Sequence, residues 1–466
     1  MRHSFQGAAA ALLTLALAGC LAAPATQVTK ARPGGSSGSD AGFTAPLALD
    51  LPPRAAPVSP RHGDAEMAAS FMDLTFAMET GRTLDHFSRF EGPITIALTG
   101  AVPATAPADL DRVIARLRAE AGIPISRSSG PGAAITVEFT PRATLHRLAP
   151  SAACFVVPNV SSLAEFRRQR GSDALDWAQV VERQRVAIFA PSDASAQEVR
   201  DCLHEEVAQA LGPLNDLYRL SDSVFNDDNF NSVLTPFDMA ILRATYAPEL
   251  RSGMSRAQVQ ALIGPVMARV NGAGPGFGGA DPSPTPRVWI TAIETAITTG
   301  GPQASRRAAA ERALALAQAQ GWQDARLAFS HFALARLYVG ADRDRALAEF
   351  TQAARIYARL PGGAIHVAHI DMQLAAMAVA SGQPDRAIQL ADRAIPAIRA
   401  AQNQALLATI LLIKAEALDM LGLGAQARAV RVDSAGAARY GFGTEAQVRA
   451  RQREISALGG QWPPRG

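Results

Sequence analysis

The segment from Ser195 to Gly212, SAQEVRDCLHEEVAQALG, holds the densest set of residues that could do chemistry. Ser195 and Glu198 have the spacing of a capping box, and a glycine at 212 is typical of a helix end, so the segment is predicted to be a helix. Helical periodicity forms one apolar stripe from Val199, Leu203 and Ala210. Glu206 falls on the same stripe. A carboxylate buried among apolar residues needs partners, which makes this helix a candidate site.

Two zinc-binding patterns can be compared with this helix. His204 and Glu205 begin the pattern H-E-x-x-H, but Ala208 stands where the second histidine belongs. Shifted by one residue, the segment resembles H-E-x-x-H-x-x-G-x-x-H, the signature of the metzincin peptidases. In that alignment Glu206 matches the general base and Gly212 the turn glycine. The three histidine positions are replaced, in chain order, by Glu205, Gln209 and Asn215.

The resemblance to metzincins continues downstream. Ser223-Val224-Phe225-Asn226 is similar to their Met-turn, with Phe225 in place of the methionine. Residues 234–246, LTPFDMAILRATY, resemble their closing helix, and Thr235 with Asp238 predicts a second capping box. The resemblance implies a degenerate metzincin-like domain over residues 66–265. HEEVAQALG, ND and LTPFD also resemble an uncharacterised family of bacterial envelope proteins, classed only as a domain of unknown function.

The replaced ligands decide the chemistry that we expect. Zinc prefers imidazole and thiolate, whereas Glu205, Gln209 and Asn215 offer oxygen alone, so we predict no bound metal and no cofactor. Without zinc, Glu206 has no activated water to deprotonate. Three interpretations remain: a vestigial site, a hydrolase that uses Glu206 as general base, and a buried polar network that holds helix to sheet. Adjacent helical residues point about 100° apart, which disfavours Glu205 and Glu206 as an acid/base pair on one bond.

Two further sets of residues are of types that can bind a metal ion. Asp227, Asn229 and Asn231, with Asp238 at the twelfth position, have the oxygen spacing of a calcium loop. Ser232 replaces the glycine that such a loop needs at its sixth position, so a plain Asn/Asp-rich turn is the alternative. His366 and His369 share a helical face and are predicted to be packing or groove residues. His204 is predicted to lie at the surface or between layers.

The elements that must position these residues alternate between helix and strand. Strands are predicted at 93–98, 134–139, 154–160 and 186–189, which are rich in β-branched or aromatic residues. Helices are predicted at 66–79 and 107–121. This alternation predicts a mixed α/β layer. The whole chain is predicted to be α+β, with the metzincin-like domain followed by an all-α domain.

The second domain is predicted from an internal repeat. Residues 266–287 are rich in Gly and Pro and are predicted to be a linker, and residues 288–460 are Ala-rich and helical. Gly382 and Ala387 recur as Gly422 and Ala427, a period near forty residues. This resembles tetratricopeptide helical hairpins, with a generic helical bundle as the alternative. Stacked hairpins leave a concave face, so we predict a protein or peptide partner there.

The amino terminus predicts where the protein resides. Residues 1–19 have the form of a signal peptide, and Leu17-Ala18-Gly19-Cys20 resembles the lipobox of bacterial lipoproteins. Lipidation of Cys20 would anchor the chain to a membrane, and residues 20–65 would form a disordered tether. In the lipoproteins that this segment resembles, Asp after the cysteine leads to retention in the inner membrane, so Leu21 favours the outer membrane, facing the periplasm. In that oxidising compartment Cys154 and Cys202 are predicted to form a disulfide, with two buried thiols as the alternative.

Composition narrows the class of protein further. The net charge is only +3 and aromatic residues make up 6%, so no nucleic-acid partner is expected. Three cysteines exclude a disulfide-dense scaffold. The sequence therefore predicts a lipid-anchored cell-envelope protein with a non-catalytic binding or scaffolding role. The alternatives are a periplasmic peptidase-like hydrolase that uses Glu206 and a cytoplasmic regulator with repeat helices.

Overall fold

The computed structural model describes residues 62–130, 132–150, 152–274, 282–298 and 300–459. The predicted signal peptide, the lipidation site Cys20 and residues 20–61 of the predicted tether lie outside the described residues. So do residues 275–281 within the predicted linker.

The first part of the chain is built on a five-stranded sheet. Its strands are β1 (Ile94–Gly100), β2 (Ile125–Arg127), β3 (Ile135–Thr140), β4 (Phe155–Pro158) and β5 (Val186–Pro191). They lie in the order β2-β1-β3-β5-β4. β1, β2, β3 and β5 are parallel, and β4 is the antiparallel edge strand, with Phe155 opposite Phe189. The four predicted strands are present, and β2 adds a short fifth one.

The described residues of this unit also form seven α-helices. They are α1 (Asp64–Thr75), α2 (Ala106–Glu120), α3 (Arg142–Leu148), α4 (Leu163–Gln169), α5 (Ala196–Leu211), α6 (Pro236–Thr245) and α7 (Arg256–Val270). Alternation along β5 separates the two faces of the sheet. Val186, Ile188 and Ala190 pack into the larger core with α2, α5 and α6, whereas Ala187 and Phe189 pack into a smaller core under α3 and α4.

The second part is all-helical, as predicted. Its helices are α8 (Arg287–Ile297), α9 (Gln303–Ala319), α10 (Ala325–Tyr338), α11 (Arg343–Tyr357), α12 (Gly363–Ala380), α13 (Pro384–Ala400), α14 (Gln404–Met420), α15 (Gly424–Phe442) and α16 (Glu445–Gly459). Successive helices pack as hairpins: α8 with α9, α10 with α11, α12 with α13, and α14 with α15. The recurring Gly382 and Gly422 have φ of 70° and 74° in the tight turns between paired helices, a conformation that favours glycine.

The fold class is therefore confirmed at the level of a mixed α/β unit with a small sheet followed by an all-helical unit. Among the described helices, α12 is long and apolar enough to cross a membrane, but 83% of that stretch is buried among its neighbours. Burial on nearly every side also explains the lack of a polar face on this helix, since a helix at the centre of a stack has no solvent side.

Candidate functional site

Helix α5 begins and ends with bonds that the sequence partly predicts. The predicted capping box is present: the Ser195 side chain accepts from the Glu198 N–H, and the Glu198 carboxylate accepts from the Ser195 N–H. At the other end the buried Arg183 guanidinium donates to the carbonyls of Gln209 at 2.6 Å, Ala210 at 2.8 Å and Gly212. A cation at a helix C-terminus satisfies orphan carbonyls and opposes the helix dipole. Burial lowers the pKa of Arg183 to about 10.

Two faces of α5 have different surroundings. The predicted stripe is buried in the larger core of the α/β unit, and Glu206 on that stripe is only 1% exposed. The adjacent face carries Gln197, Asp201 and Glu205, and these side chains line a cavity that also includes Cys154 and Pro191 at the edge of the sheet. Glu205 and Glu206 thus occupy separate compartments. Their side chains do not converge on one bond, in agreement with the helical geometry.

The three positions that align with the histidines of the metzincin pattern also lie apart from one another. Glu205 lines the cavity, and Gln209 is 5% exposed, with its carbonyl held by Arg183. Asn215 donates its side-chain N–H to the carbonyl of Asp73 at 3.0 Å, near the C-terminal end of α1. That bond satisfies one of the carbonyls that a helix end leaves without an intrahelical partner. Asn215 thereby ties the chain after α5 to α1.

His204 lies between layers, one of the two positions that the sequence predicts. It is 5% exposed, and its Nδ1 accepts the backbone N–H of Leu234 at 3.2 Å. Burial and the nearby positive charge of Arg200 lower the pKa of His204 to about 3. The imidazole is therefore neutral at physiological pH, as an acceptor nitrogen must be.

The segment with the predicted pseudo Met-turn is held in place by Asp238. Phe225 is fully buried in the core of the α/β unit. One oxygen of Asp238 accepts from the Ser223 hydroxyl at 2.6 Å, and the other accepts from the N–H groups of Val224 at 3.2 Å and Thr235 at 2.7 Å. Because Asp238 binds these donors, it is not available as the twelfth ligand of the calcium loop that the spacing suggests.

The other residues with the calcium-loop spacing also make separate contacts and do not converge on one point. The amide nitrogens of Asn229 and Asn231 donate to the carbonyls of Asp227 at 2.9 Å and Ser221 at 3.0 Å. These two bonds shape the turn. The carboxylate of Asp227 instead joins Glu79 and Asp216, with one oxygen from each of the three within 4.8 Å of the others.

This carboxylate cluster is the feature that the sequence analysis missed. The sequence predicts a helix to Glu79, but α1 ends at Thr75, and an antiparallel bridge between Ala77 and Thr83 places Glu79 in a tight turn. Burial and the charges of Asp216 and Asp227 raise the pKa of Glu79 well above its usual value. Burial raises the pKa of Asp216 to about 6. Glu79 and Asp216 are so far apart in sequence that no spacing rule joins them.

The chain between α5 and α6, residues 213–235, connects the two units. We call it the bridging segment. Leu214, Leu220 and Phe225 pack in the core of the α/β unit, whereas Tyr218 and Phe230 are buried in the core of the helical unit. Phe230 is fully buried among rings of α10, α11 and α12, namely Phe329, Phe332, Tyr357, His366 and His369. The bridging segment thus contributes side chains to both cores.

His366 and His369 have the predicted packing role in this interface. His366 lies 4.2 Å from Tyr357 in a stacked arrangement, and its Nε2 lies 3.2 Å from a carboxylate oxygen of Asp228 in the bridging segment. His369 packs edge-on against Phe230 at 4.6 Å and also lines the cavity beside α5. Gly362 at the start of α12 approaches Asp222 so closely that a Cβ there would overlap its side chain.

Polar contacts continue the interface along α5 and α2. The Gln197 side chain donates to Asn403 at 3.0 Å and accepts from the Ala405 N–H at 2.7 Å. Arg200 donates to the carbonyl of Gln402 at 2.8 Å. On α2, Asp109 accepts from the Tyr440 hydroxyl at 2.9 Å. Hydrogen bonds therefore fasten the α/β unit to the turn between α13 and α14, to the start of α14 and to the end of α15.

Between these contacts lies a cleft of about 200 Å³. One wall is α5, with Gln197, Asp201 and Glu205, and the opposite wall comes from the helical unit, with His369 and Asn403. Asn229, Asn231 and Ser232 of the bridging segment form a third side. The walls carry both donors and acceptors. The arrangement suits a polar, hydrogen-bonding ligand better than an apolar one.

The predicted disulfide is confirmed. Cys154, just before β4, is bonded to Cys202 on α5, with their Cα atoms 6.1 Å apart. This separation is ordinary for a disulfide. The bond joins α5 to the antiparallel edge of the sheet and borders the cleft.

Comparison with known proteins covers part of the chain. Residues 64–264 match the model of a family described as "Protein of unknown function (DUF2927)". No curated protein and no solved structure matches the chain. The match spans the α/β unit from the start of α1 into α7. The predicted likeness to a domain family of unknown function is thereby confirmed for residues 64–264.

Proposed function

We propose that this protein is a lipid-anchored, non-catalytic binding protein of the cell envelope. The observation that carries the proposal is the seclusion of Glu206, whose side chain is 1% exposed. A general base must come within hydrogen-bond distance of the proton that it takes from substrate or water. Glu206 lies in the helix–sheet core, so a peptide has no access to it.

The α/β unit is, in this proposal, a degenerate relative of the metzincin peptidases. Three features support the relation: α5 with Glu205-Glu206-x-x-Gln209, the buried turn at Phe225 and the capped helix α6 follow one another in the metzincin order. Each position that would hold zinc in a metzincin is occupied here by a residue with a side-chain oxygen, and these residues make other contacts. Asn215 binds α1, and Glu205 faces the cleft.

The helical unit supplies the other half of the binding surface, as a tetratricopeptide-like array. The bridging segment covers part of this array, because Phe230 inserts among rings of α10 and α12. The cleft beside α5 is therefore the place where both units present groups to a partner. Its mixture of amides, carboxylates and hydroxyl groups favours an extended polar segment of another protein.

Anchoring in the envelope rests on Cys20 and on the disulfide. A disulfide between Cys154 and Cys202 persists in an oxidising compartment, which agrees with export. The lipobox-like Leu17-Ala18-Gly19-Cys20 supplies the anchor. Leu21 favours the outer membrane, with the folded units facing the periplasm.

Site-specific photo-cross-linking in cells tests the proposal. A photoreactive residue at Asn231, inside the cleft, should give a discrete adduct with a protein partner, and the same residue at the exposed Arg118 on α2 should not. The Glu206→Gln variant should give the same adduct yield, because Glu206 faces the core. Palmitate labelling that requires Cys20 would show that the tested protein is in its anchored form.

A peptide-hydrolysis assay on the same purified proteins decides between binding and catalysis. We expect no hydrolysis by the wild type or by Glu206→Gln. Hydrolysis by the wild type that is lost in Glu206→Gln would overturn the proposal in favour of a hydrolase. Adducts of equal yield from Asn231 and Arg118 would contradict the cleft as the binding surface.

A further inference from the structure

The carboxylate cluster beside the cleft raises a question of charge. One oxygen each from Glu79, Asp216 and Asp227 lies within 4.8 Å of the other two. Like charges at that separation in a partly buried place repel strongly, so the group must share protons or bind a cation. None of the three side chains forms an ion pair with a lysine or arginine of the described residues.

The nearest basic neighbour is already engaged. Arg287 acts on the charge of Asp227, but its guanidinium donates to the two oxygens of Glu294 at 3.0 and 3.1 Å. Glu294 itself adds negative charge beside Asp227. Glu294 therefore adds a further negative charge to the surroundings of the three carboxylates.

Asp216 supplies an independent sign of a ligand. Its side chain belongs to a residue that is 9% exposed, and neither carboxylate oxygen accepts an N–H or O–H from any donor in the described part of the chain. Its polar neighbour is Glu79, which can hydrogen-bond to it only by carrying a proton. Buried carboxylate oxygens normally have hydrogen-bond or metal partners, so a buried pair without donors points to a cation as the partner.

We propose that Glu79, Asp216 and Asp227 bind one hard divalent cation of the calcium class. Carboxylate oxygen is the preferred ligand of such ions, and three carboxylates supply up to six oxygen atoms. Zinc and copper prefer nitrogen or sulfur, which the cluster lacks. Glu205, whose charge reaches Glu79, and water would complete the coordination.

The location gives the cation a structural purpose. Glu79 lies in the turn after α1, whereas Asp216 and Asp227 lie in the two halves of the bridging segment. A cation on all three would fasten the bridging segment to the α/β unit beside Tyr218, which enters the helical core. The site also adjoins the cleft through Glu205. This inference concerns folding and is independent of catalysis, anchoring and partner identity.

Terbium luminescence and calcium binding test the site directly. Tyr218 and Trp289 are suitable donors of excitation energy. Tyr218 lies near enough to Asp227 and Asp216 for their charges to raise its pKa, and the ring centroid of Trp289 is 5.1 Å from that of Tyr218. We expect terbium added to the exported protein to luminesce on excitation of these rings, and calcium to compete it away. Equilibrium dialysis should give one calcium ion per chain, and calcium should raise the Tm by mass action.

Matched variants separate the site from general surface charge. Asp216→Asn should weaken calcium binding at least tenfold and should not lower the Tm of the metal-free protein, because it removes repulsion. Glu79→Gln, at a half-buried position in the turn after α1, serves as a second variant if Asp216→Asn fails to fold. Asp111→Asn, an exposed carboxylate of α2, should bind calcium as the wild type does.

The outcomes are decisive in either direction. Equal calcium binding by the wild type and both cluster variants would overturn the site. The absence of binding at millimolar calcium, magnesium and manganese would also overturn it, and would leave proton sharing as the state of the cluster. Saturable binding of magnesium or manganese in preference to calcium would keep the site but contradict the calcium class.

Discussion

At the residue scale, His62 shows how buried charges join distant segments. Its Nδ1 lies 2.7 Å from Glu66 on α1, and its Nε2 lies 2.7 Å from Asp222 in the bridging segment. Burial by itself lowers the pKa of a histidine, but the carboxylates of Asp222 and Glu66 outweigh it and raise the pKa of His62 to about 10. The charged imidazole thus links the start of the described chain to the bridging segment.

This pKa predicts a stability that declines in alkali. A histidine whose pKa is higher in the folded than in the unfolded state stabilises fully below the unfolded value of about 6.5, and this stabilisation is lost as pH rises through the folded value. The His62→Gln variant should therefore be less stable than the wild type by a few kcal/mol at pH 6. We expect the difference to shrink toward pH 10.

Urea unfolding of both proteins at pH 6, 8 and 10 measures that difference. His146→Gln, an exposed histidine of α3, is the matched control for the substitution itself. A difference between the wild type and His62→Gln that stays constant from pH 6 to pH 10 would show that His62 is not a charged link.

Prediction at the residue scale succeeds where neighbours in sequence are neighbours in space. The burial of Glu206 follows from its place on an apolar stripe, because helical periodicity is local. The carboxylate cluster does not follow, because Glu79 and Asp216 meet only after α1 and the bridging segment have packed together. The bonds of Arg183 to the end of α5 are invisible for the same reason.

At the element scale, α5 is held at three places by different kinds of bond. Its N-terminus has a capping box, its middle has the disulfide to Cys154, and its C-terminus has Arg183. The capping boxes at Ser195 and Thr235 are both predicted and present, since each needs only residues three apart. α5 contributes side chains both to the core of the α/β unit and to the cleft.

Loss of the disulfide should loosen α5 from the sheet edge. The bond closes a loop between residues 48 apart, and removal of such a link typically lowers the free energy of unfolding by about 2–4 kcal/mol. Cys154→Ala with Cys202→Ala should show this loss in urea unfolding under oxidising conditions. With reductant present, the free energy of unfolding of the wild type should fall toward that of the variant.

The same experiment has a clear contrary result. If the oxidised wild type and the double variant unfold at the same urea concentration, the disulfide does not stabilise this unit. Cys20 is best replaced by Ser in all samples, so that Cys154 and Cys202 are the only thiols of the chain.

At the scale of the whole molecule, the bridging segment packs into the cores of both units. Tyr218 and Phe230 belong by sequence to the α/β unit and by packing to the helical core. A long segment without helix or strand is normally exposed, but here most of its residues are buried and hydrogen-bonded. The helical unit thus completes the α/β unit.

Phe230→Ala should destabilise both units together. Truncation of a fully buried phenylalanine leaves a cavity and typically costs about 3–5 kcal/mol. Hydrogen exchange should then show lower protection in α5 and in α12. Val432→Ala, 74% exposed on α15, should change the free energy of unfolding by less than about 0.5 kcal/mol. Lower protection confined to the bridging segment would contradict a single cooperative body.

The sequence by itself determined the local features: helix starts, strand positions, the glycine turns of the hairpins and the division into a mixed and an all-helical unit. These depend on residues a few positions apart, through periodicity, capping and backbone freedom. The disulfide is predicted from the cysteine count together with the expectation of an oxidising compartment. The tertiary structure alone decided that Glu205 and Glu206 face different compartments, that Phe230 enters the other unit, and that Glu79 meets Asp216. Such contacts join residues distant in sequence, and only the packing of whole elements brings them together.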